Sequence, residues 1–182
     1  LRDAQPPIHV ADHVIGAGEQ LYRSMCEAGQ EGIIAKRADA PYRSARTRNW
    51  VKVKCTRRQE FIIIGWSRSS AKGRPFRSLL LAQKEGRTLV YKGKVGTGFD
   101  ADTMQDLAEA MEPLVVEKPP LDVPRTEARG ARWIKPQLVA EIAFAEFTGE
   151  GRVRHASFLG LRADKKAKDV KPEKPAPAPP PQ

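Results

Sequence analysis

The sequence predicts an α+β chain that ends in a small all-β barrel. Three observations predict it. The longest apolar runs, Phe61-Ile62-Ile63-Ile64 and Leu79-Leu80-Leu81-Ala82, have strand length. Beyond Arg58 such runs recur between glycine-containing turns. A single amphipathic helix interrupts that series after its third strand.

Taken in order, Gly18–Gly29 reads as a helix, with Leu21, Met25 and Ala28 on one face and Gly29 as its C-terminal stop. Gly32–Lys36 reads as a buried strand, Arg43–Asn49 as a basic loop, and Trp50–Cys55 as an alternating second strand. Glu60–Trp66, Ser78–Gln83 and Thr88–Lys94 are the next three strands. Asp100–Met111 is a helix with Asp100 or Asp102 as N-cap and Leu107, Ala110 and Met111 as its apolar stripe. Glu112–Arg132 is Pro-rich and reads as irregular, Leu138–Phe147 as one long strand, and Phe158–Arg162 as a short final one. About five strands with a helix after the third is the layout of an OB-fold, a Greek-key barrel that often binds nucleic acid. From Lys166 to Gln182, six of the fifteen prolines and a lone large apolar residue, Val170, predict a disordered linker. The expected boundaries are therefore 1–58, 59–165 and 166–182.

At 182 residues and 20.2 kDa, the chain has room for one ordinary domain or two small ones. No apolar run approaches the ~20 residues of a membrane helix, and no signal peptide is evident. Cys26 and Cys55 cannot make a disulfide framework, and neither has a metal-ligand spacing; a reducing cytoplasm fits them. His9, His13 and His155 are too scattered for a metal site. Lys+Arg number 32 against 22 acids. Without residues 166–182 the balance is 28 to 20, still +8, so the folded part is itself basic and a polyanion partner is expected.

Four stretches carry candidate chemistry. In Glu31-Gly32-Ile33-Ile34-Ala35-Lys36-Arg37, an acid at the mouth of a strand suits a divalent cation near phosphates; a strand with solvated flanking charges is the plainer reading. In Trp50-Val51-Lys52-Val53-Lys54, alternation puts Trp50, Lys52 and Lys54 on one face, and two ammonium groups about 7 Å apart can clamp a phosphate. An amphipathic edge strand is the alternative, but Arg37–Arg58 holds eight Lys/Arg and one acid, Asp39, which makes a local positive field. Lys94-Val95-Gly96-Thr97-Gly98-Phe99 lacks the Walker lysine spacing and reads better as a strand-to-helix turn than as a phosphate loop. In Arg162-Ala163-Asp164-Lys165, a guanidinium held by a carboxylate beside an ammonium can orient a polyphosphate; a charged strand end is the alternative.

In this order, Glu31-Gly32-x-x-x-Lys36, Trp50-x-Lys52-x-Lys54 and Arg162-x-Asp164-Lys165 resemble motifs IV, V and VI of the covalent nucleotidyltransferases, the ATP-dependent DNA ligases and their relatives. Within that group the chain resembles more closely the ligase domain of bacterial DNA ligase D, also around Pro41-Tyr42-Arg43-Ser44, Val95–Phe99 and Arg154-His155. Ala45 and Ala156 depart from the expected Gly and Pro. None of the fourteen lysines lies in the Lys-x-Asp-Gly that such ligases adenylylate, so the resemblance implies the second half of a catalytic core. The fold it implies is the C-terminal part of a nucleotidyltransferase (adenylation) domain followed by an OB-fold β-barrel.

The resemblance implies ATP-dependent sealing of nicked or broken duplex DNA through an AMP-activated intermediate. ATP and Mg²⁺ (or Mn²⁺) would be its cofactors. Glu31 would hold the metal, Lys52 and Lys54 would contact the α-phosphate, and Arg162, Asp164 and Lys165 would orient the leaving pyrophosphate. Arg37, Arg43, Arg46, Arg48, Arg57 and Arg58 are the candidate DNA contacts, with Arg57-Arg58 near a hinge. Implied partners are the Ku end-binding protein and polymerase and phosphoesterase domains of the same parent chain, in a bacterial cytoplasm at the nucleoid. Two other classes stay open: a non-catalytic OB-type DNA-binding module, and an RNA ligase or mRNA capping enzyme of the same superfamily.

Overall fold

The computed structural model describes residues 12–170 and the backbone of Ala176–Pro177. His9 and the linker expected at 171–175 and 178–182 lie outside the described residues. Two compact units divide between Cys55 and Thr56, earlier than the boundary expected after Arg58.

The first unit holds helix α1 (Gly18–Glu27) and a two-stranded antiparallel hairpin of β1 (Gly32–Lys36) and β2 (Trp50–Lys54). The helix buries Tyr22, with Leu21, Met25 and Cys26 half-buried beside it; the expected Ala28 is exposed. β1 is not the buried strand its apolar run predicts. Among the described residues it pairs with β2 alone, and Ile34 remains 50% exposed. The cysteine expectation is also corrected: Cys26 of α1 and Cys55, directly after β2, form a disulfide with Cα atoms 5.4 Å apart. Sequence spacing gave no sign of it, because the contact depends on how α1 packs on the hairpin.

The second unit is built on β3 (Arg57–Ser67). It pairs with β4 (Ser78–Glu85), which pairs with β5 (Thr88–Val95); on its other edge it pairs with β8 (Val139–Phe144) and, at its end, with β7 (Ala131–Ile134). β11 (Ser157–Leu161) joins β8, giving the order β11-β8-β3-β4-β5. Helix α2 (Ala101–Met111) follows the third barrel strand, capped by Asp100, whose Oδ1 accepts from the Thr103 amide at 2.7 Å. This is the OB layout, except that β5 and β11 form no ladder. The gap is bridged instead by the Phe158 amide donating to the Thr97 carbonyl at 2.9 Å and by Thr97 Oγ1 donating to the Ala156 carbonyl at 3.0 Å.

β3 is buried on both faces. Phe61 and Ile63 join Leu79, Leu81, Ile142, Phe144 and Phe158 in the barrel core, which α2 closes with Met104, Leu107 and Met111. Ile62 and Ile64 pack outside with Leu80, Tyr91, Trp133 and Val139. A strand covered on two sides needs a continuous apolar run, not an alternating one. Val170 belongs to the outer cluster and is 1% exposed, after a short 3-10 turn at Ala167–Asp169. Residues 166–170 thus depart from the linker expectation: one valine reaches an apolar surface that composition could not reveal. Ala176–Pro177, strand β12, adds to Arg57–Arg58 of β3.

The stretch 112–132, expected to be irregular, contains β6 (Val115–Val116) paired with β7 and a one-turn helix α3 (Arg125–Ala128). The expected long strand 138–147 breaks at Ala145 into β8 and β9 (Glu146–Phe147), and β9 pairs with β10 (Val153–Arg154). Arg57 and Arg58 lie within the β3–β8 ladder, opposite Phe144 and Ala143, and so are strand residues rather than hinge residues.

The turn at Val95–Phe99 has the geometric role its sequence favours. Gly98 has φ +90°, and a Cβ there would lie 2.3 Å from the Phe158 carbonyl oxygen. Gly98→Ala should therefore destabilise the second unit by about 3 kcal/mol or more, combining backbone strain with a backbone clash. Gly86→Ala, at φ +62° in open space, should cost only about 1–2 kcal/mol. Urea unfolding followed by tryptophan fluorescence checks the order; equal costs would show that the Phe158 approach is not what demands glycine.

Candidate active site

The hairpin register explains the group of candidate residues in the first unit. Gly32 faces Lys54, Ile34 faces Lys52 and Lys36 faces Trp50, so Ile34, Lys36, Trp50, Lys52 and Lys54 share one face and Ile33, Ala35, Val51 and Val53 the other. Glu31 stands at the open end, where its carbonyl accepts from the Cys55 amide at 2.8 Å. Gly32 is required beside it: φ is +146°, and a Cβ would fall 2.1 Å from the Val53 carbonyl oxygen. The Glu31 carboxylate turns onto the basic face. Lys52 Nζ donates to its Oε1 at 2.7 Å, and Lys54 Nζ lies 3.7 Å from the same oxygen. The Lys52 hydrogen bond and charge, with Lys54 adding, hold the Glu31 carboxyl below its ordinary range. Tyr22 pins the strand from α1, its hydroxyl donating to the Lys54 carbonyl at 3.3 Å.

One carboxylate beside two ammonium groups has a net positive charge and open faces, which suits a phosphate. Among the described residues there is no cluster of three or more His, Cys, Asp or Glu to cage a metal ion by itself. A single carboxylate can contribute one ligand to such an ion, and Glu31 is the candidate this face offers.

Trp50 is 48% exposed; Lys36 Nζ lies 4.1 Å over its ring, and Tyr42 meets it edge-on at 5.8 Å. The loop between the strands exposes Arg43, Arg46 and Arg48 and borders a cavity of about 520 Å³. Arg37 differs from these. Its guanidinium forks onto Asp39, at 3.1 Å from Nε and 2.8 Å from Nη2, on an open surface. In the second unit, Arg58 is exposed and Arg57 half-buried.

The third stretch is held on the barrel. β11 ends at Leu161, and the Arg162 amide still donates to the Val139 carbonyl at 2.8 Å. Asp164 reaches Arg162 through a turn rather than along a strand face: Arg162 Nε and Nη2 donate to its two carboxylate oxygens at 2.9 and 2.8 Å. That fork holds Asp164 down at about 2 and pushes Arg162 up. Two partners were not legible in the sequence. Glu60 on β3 accepts from Arg162 Nη1 and from Lys165 Nζ, both at 2.9 Å, and Glu141 on β8 lies 4.0 Å from Arg162. They are opposite each other in the β3–β8 register, a juxtaposition made only by the sheet.

The family profile described as ATP dependent DNA ligase C terminal region matches residues 72–165. The chain is 42% identical over 165 residues to the multifunctional non-homologous end joining protein LigD of Pseudomonas aeruginosa, covering 88% of this chain and 20% of that protein. It is 40% identical over 163 residues to the corresponding protein of Mycobacterium bovis, covering 85% and 21%. The crystal structure of the ligase domain from M. tuberculosis LigD superposes with a TM-score of 0.62 at 37% identity, over 85% of this chain and 51% of that one. The chain thus spans about a fifth of the length of the curated relatives it matches.

Because a depressed carboxyl favours the folded form only while ionised, the contribution of Asp164 to stability is present above its unfolded value of about 3.9 and is lost as pH falls through about 2. Arg162→Gln should return Asp164 to the ordinary range. NMR titration of its side-chain carboxyl reads this directly; an unmoved titration would mean that Arg162 is not what holds it.

Proposed function

The chain belongs to the ATP-dependent DNA ligases, in their C-terminal region, and from that premise we propose that it supplies the phosphate-binding residues of a ligase acting on nicked or broken duplex DNA. The observation that carries this reading is the Glu31–Lys52–Lys54 group, one carboxylate and two ammonium ions fixed on one hairpin face.

The reaction has three displacements at phosphorus. A lysine amine attacks the α-phosphorus of ATP and pyrophosphate leaves. A DNA 5′-phosphate oxygen then takes the AMP from the lysine. Finally the 3′-hydroxyl attacks the 5′-phosphorus, expelling AMP and closing the phosphodiester. Each step gathers negative charge on phosphoryl oxygens, so the protein mainly positions groups and neutralises charge. Lys52 and Lys54 do this at the α-phosphate, and Glu31 is the residue to hold Mg²⁺, which would supply further charge neutralisation. Arg162 and Lys165, with Asp164 setting the guanidinium plane, serve the departing pyrophosphate. Arg43, Arg46 and Arg48, with Arg58, serve the DNA backbone, where affinity would fall steeply with salt. The relatives' names, multifunctional non-homologous end joining proteins of bacteria, support an end-joining role for the parent protein; Ku, companion polymerase and phosphoesterase domains and a cytoplasmic setting are the further partners and place that this reading proposes.

The 182 residues contain no Lys-x-Asp-Gly, so incubation with labelled ATP and Mg²⁺ should leave no label on a denaturing gel. A band abolished by replacing one lysine would overturn the assignment of the nucleophile to that missing motif.

In the parent ligase, Lys54→Ala and Arg162→Ala should fail differently. Removing a charged donor costs ~2.7–4 kcal/mol in the step it serves, about 10²–10³ in rate. On ATP plus a nick both variants should be slow. On a pre-adenylylated nick, Arg162→Ala should seal almost normally and Lys54→Ala should stay impaired. Equal defects of Arg162→Ala on both substrates would move its role to DNA binding or barrel support.

A further inference from the structure

We propose that Glu60 is a positioning residue that docks the Arg162–Lys165 motif on the barrel wall and competes there with polyphosphate, so that polyphosphate binding at this motif is an exchange of ion pairs. The proposal rests on the assignment of Arg162 and Lys165 to pyrophosphate.

Glu60 engages both motif cations at once, one with each oxygen: Oε1 takes Arg162 Nη1 and Oε2 takes Lys165 Nζ, at 2.9 Å each. Its side chain is 13% exposed, against 62% for Asp164. Asp164 occupies the other edge of the same guanidinium, and Glu141 lies 4.0 Å from Nη1. Two cations thus face these three carboxylates, a net charge of −1, and a polyanion that takes the Nη1 and Nζ donors now held by Glu60 does so by displacing that carboxylate.

The two close carboxylates differ in their attachment. Asp164 is two residues from Arg162 in the same turn, so their fork travels as one piece. Glu60 is fixed in the ladder of β3, opposite Glu141, and its own carbonyl accepts from Gln83 Nε2 at 3.4 Å. When the two cationic side chains turn to a polyphosphate, the Arg162–Asp164 pair can move as one while both Glu60 contacts break. The Nη1 and Nζ donors released together are the ones a polyphosphate can take. Both Glu60 pairs lie at the rim of the barrel, with the cations about one-third exposed, so solvent screens them and keeps the exchange shallow.

The test titrates inorganic tripolyphosphate by calorimetry at fixed low ionic strength into the full 182-residue chain carrying Lys52→Ala and Lys54→Ala, so that the Glu31 group does not take up the ligand. In that background, Glu60→Gln keeps the side-chain shape and removes the competing charge; it should bind at least about fivefold more tightly than the background alone, the scale of removing one like charge beside a polyanion. The Arg162→Ala/Lys165→Ala double variant of the same background should lose binding. If the double variant binds as well as the background alone, the phosphate assignment of the motif is wrong and the proposal falls with it. If the double variant loses binding but Glu60→Gln binds equally, more weakly or not at all, the assignment stands and the competition by Glu60 is overturned. A variant that fails to fold, as near-UV circular dichroism reports, is replaced by a measurement on wild type. The Glu60 carboxyl carbon resonance should move as tripolyphosphate is added; a resonance unmoved up to saturating tripolyphosphate overturns the proposal.

Discussion

The burial of β3 on both faces is the constraint on which the second unit depends. Phe61 and Ile63 face the barrel core while Ile62 and Ile64 face Trp133, Val139 and Val170. Four consecutive large apolar side chains are therefore removed from water, at roughly 1.5–3 kcal/mol each before chain entropy is counted. The same strand supplies the ladder partners of β4, β7 and β8 and is the pivot of the sheet. Gly65 completes it. A Cβ there would lie 2.3 Å from the Arg132 carbonyl oxygen, so the β3 bulge and the close approach of β7 are one feature. Glu60, one residue before the apolar run, inherits this rigidity, which makes it a fixed anchor rather than a mobile surface acid.

Much of the fold was legible because its signals are local. The Asp100 cap, the α2 stripe and three strands between glycine turns are written in short windows, and each forms where its residue types predict. What stayed hidden depends on long-range placement. β7 is four residues long and has no periodicity of its own; it becomes a strand because β3 offers it an edge at Gly65–Ser67. Val170 reads as a lone apolar residue in a polar tail until the outer face of β3 is present to receive it. The Cys26–Cys55 contact has the same origin in the packing of α1.

The candidate site divides along the same line. Alternation alone placed Lys52 and Lys54 on one face, and the hairpin register agrees. The fork between Arg162 and Asp164 follows from two residues of separation and needs no tertiary information. Glu60 and Glu141 were beyond reach: each is an acid in a strand, and only the β3–β8 register brings both to Arg162. The Arg37–Asp39 fork adds what a count of charges leaves out: the single acid of that stretch is paired with Arg37, while the surplus of basic residues stays as counted.

The two charged groups have opposite electrostatic signs. Around Glu31, two ammonium groups outnumber one carboxylate, so an incoming phosphate finds net attraction with no contact needing to break first. Around Arg162, three carboxylates outnumber two cations, so the same ligand finds its donors already occupied. Neither group is a strong source of stability, since its members are substantially exposed apart from Glu60, and exposed pairs contribute about 0–1 kcal/mol. Their effect is positional: each cation is held in one orientation before a ligand arrives, which lowers the entropy lost when it binds. A site that attracts at once and a site that must first exchange partners are suited to different moments of one reaction. Under the proposed assignment, the first serves a phosphate held through every step, and the second serves a leaving group that must displace Glu60 to reach its donors.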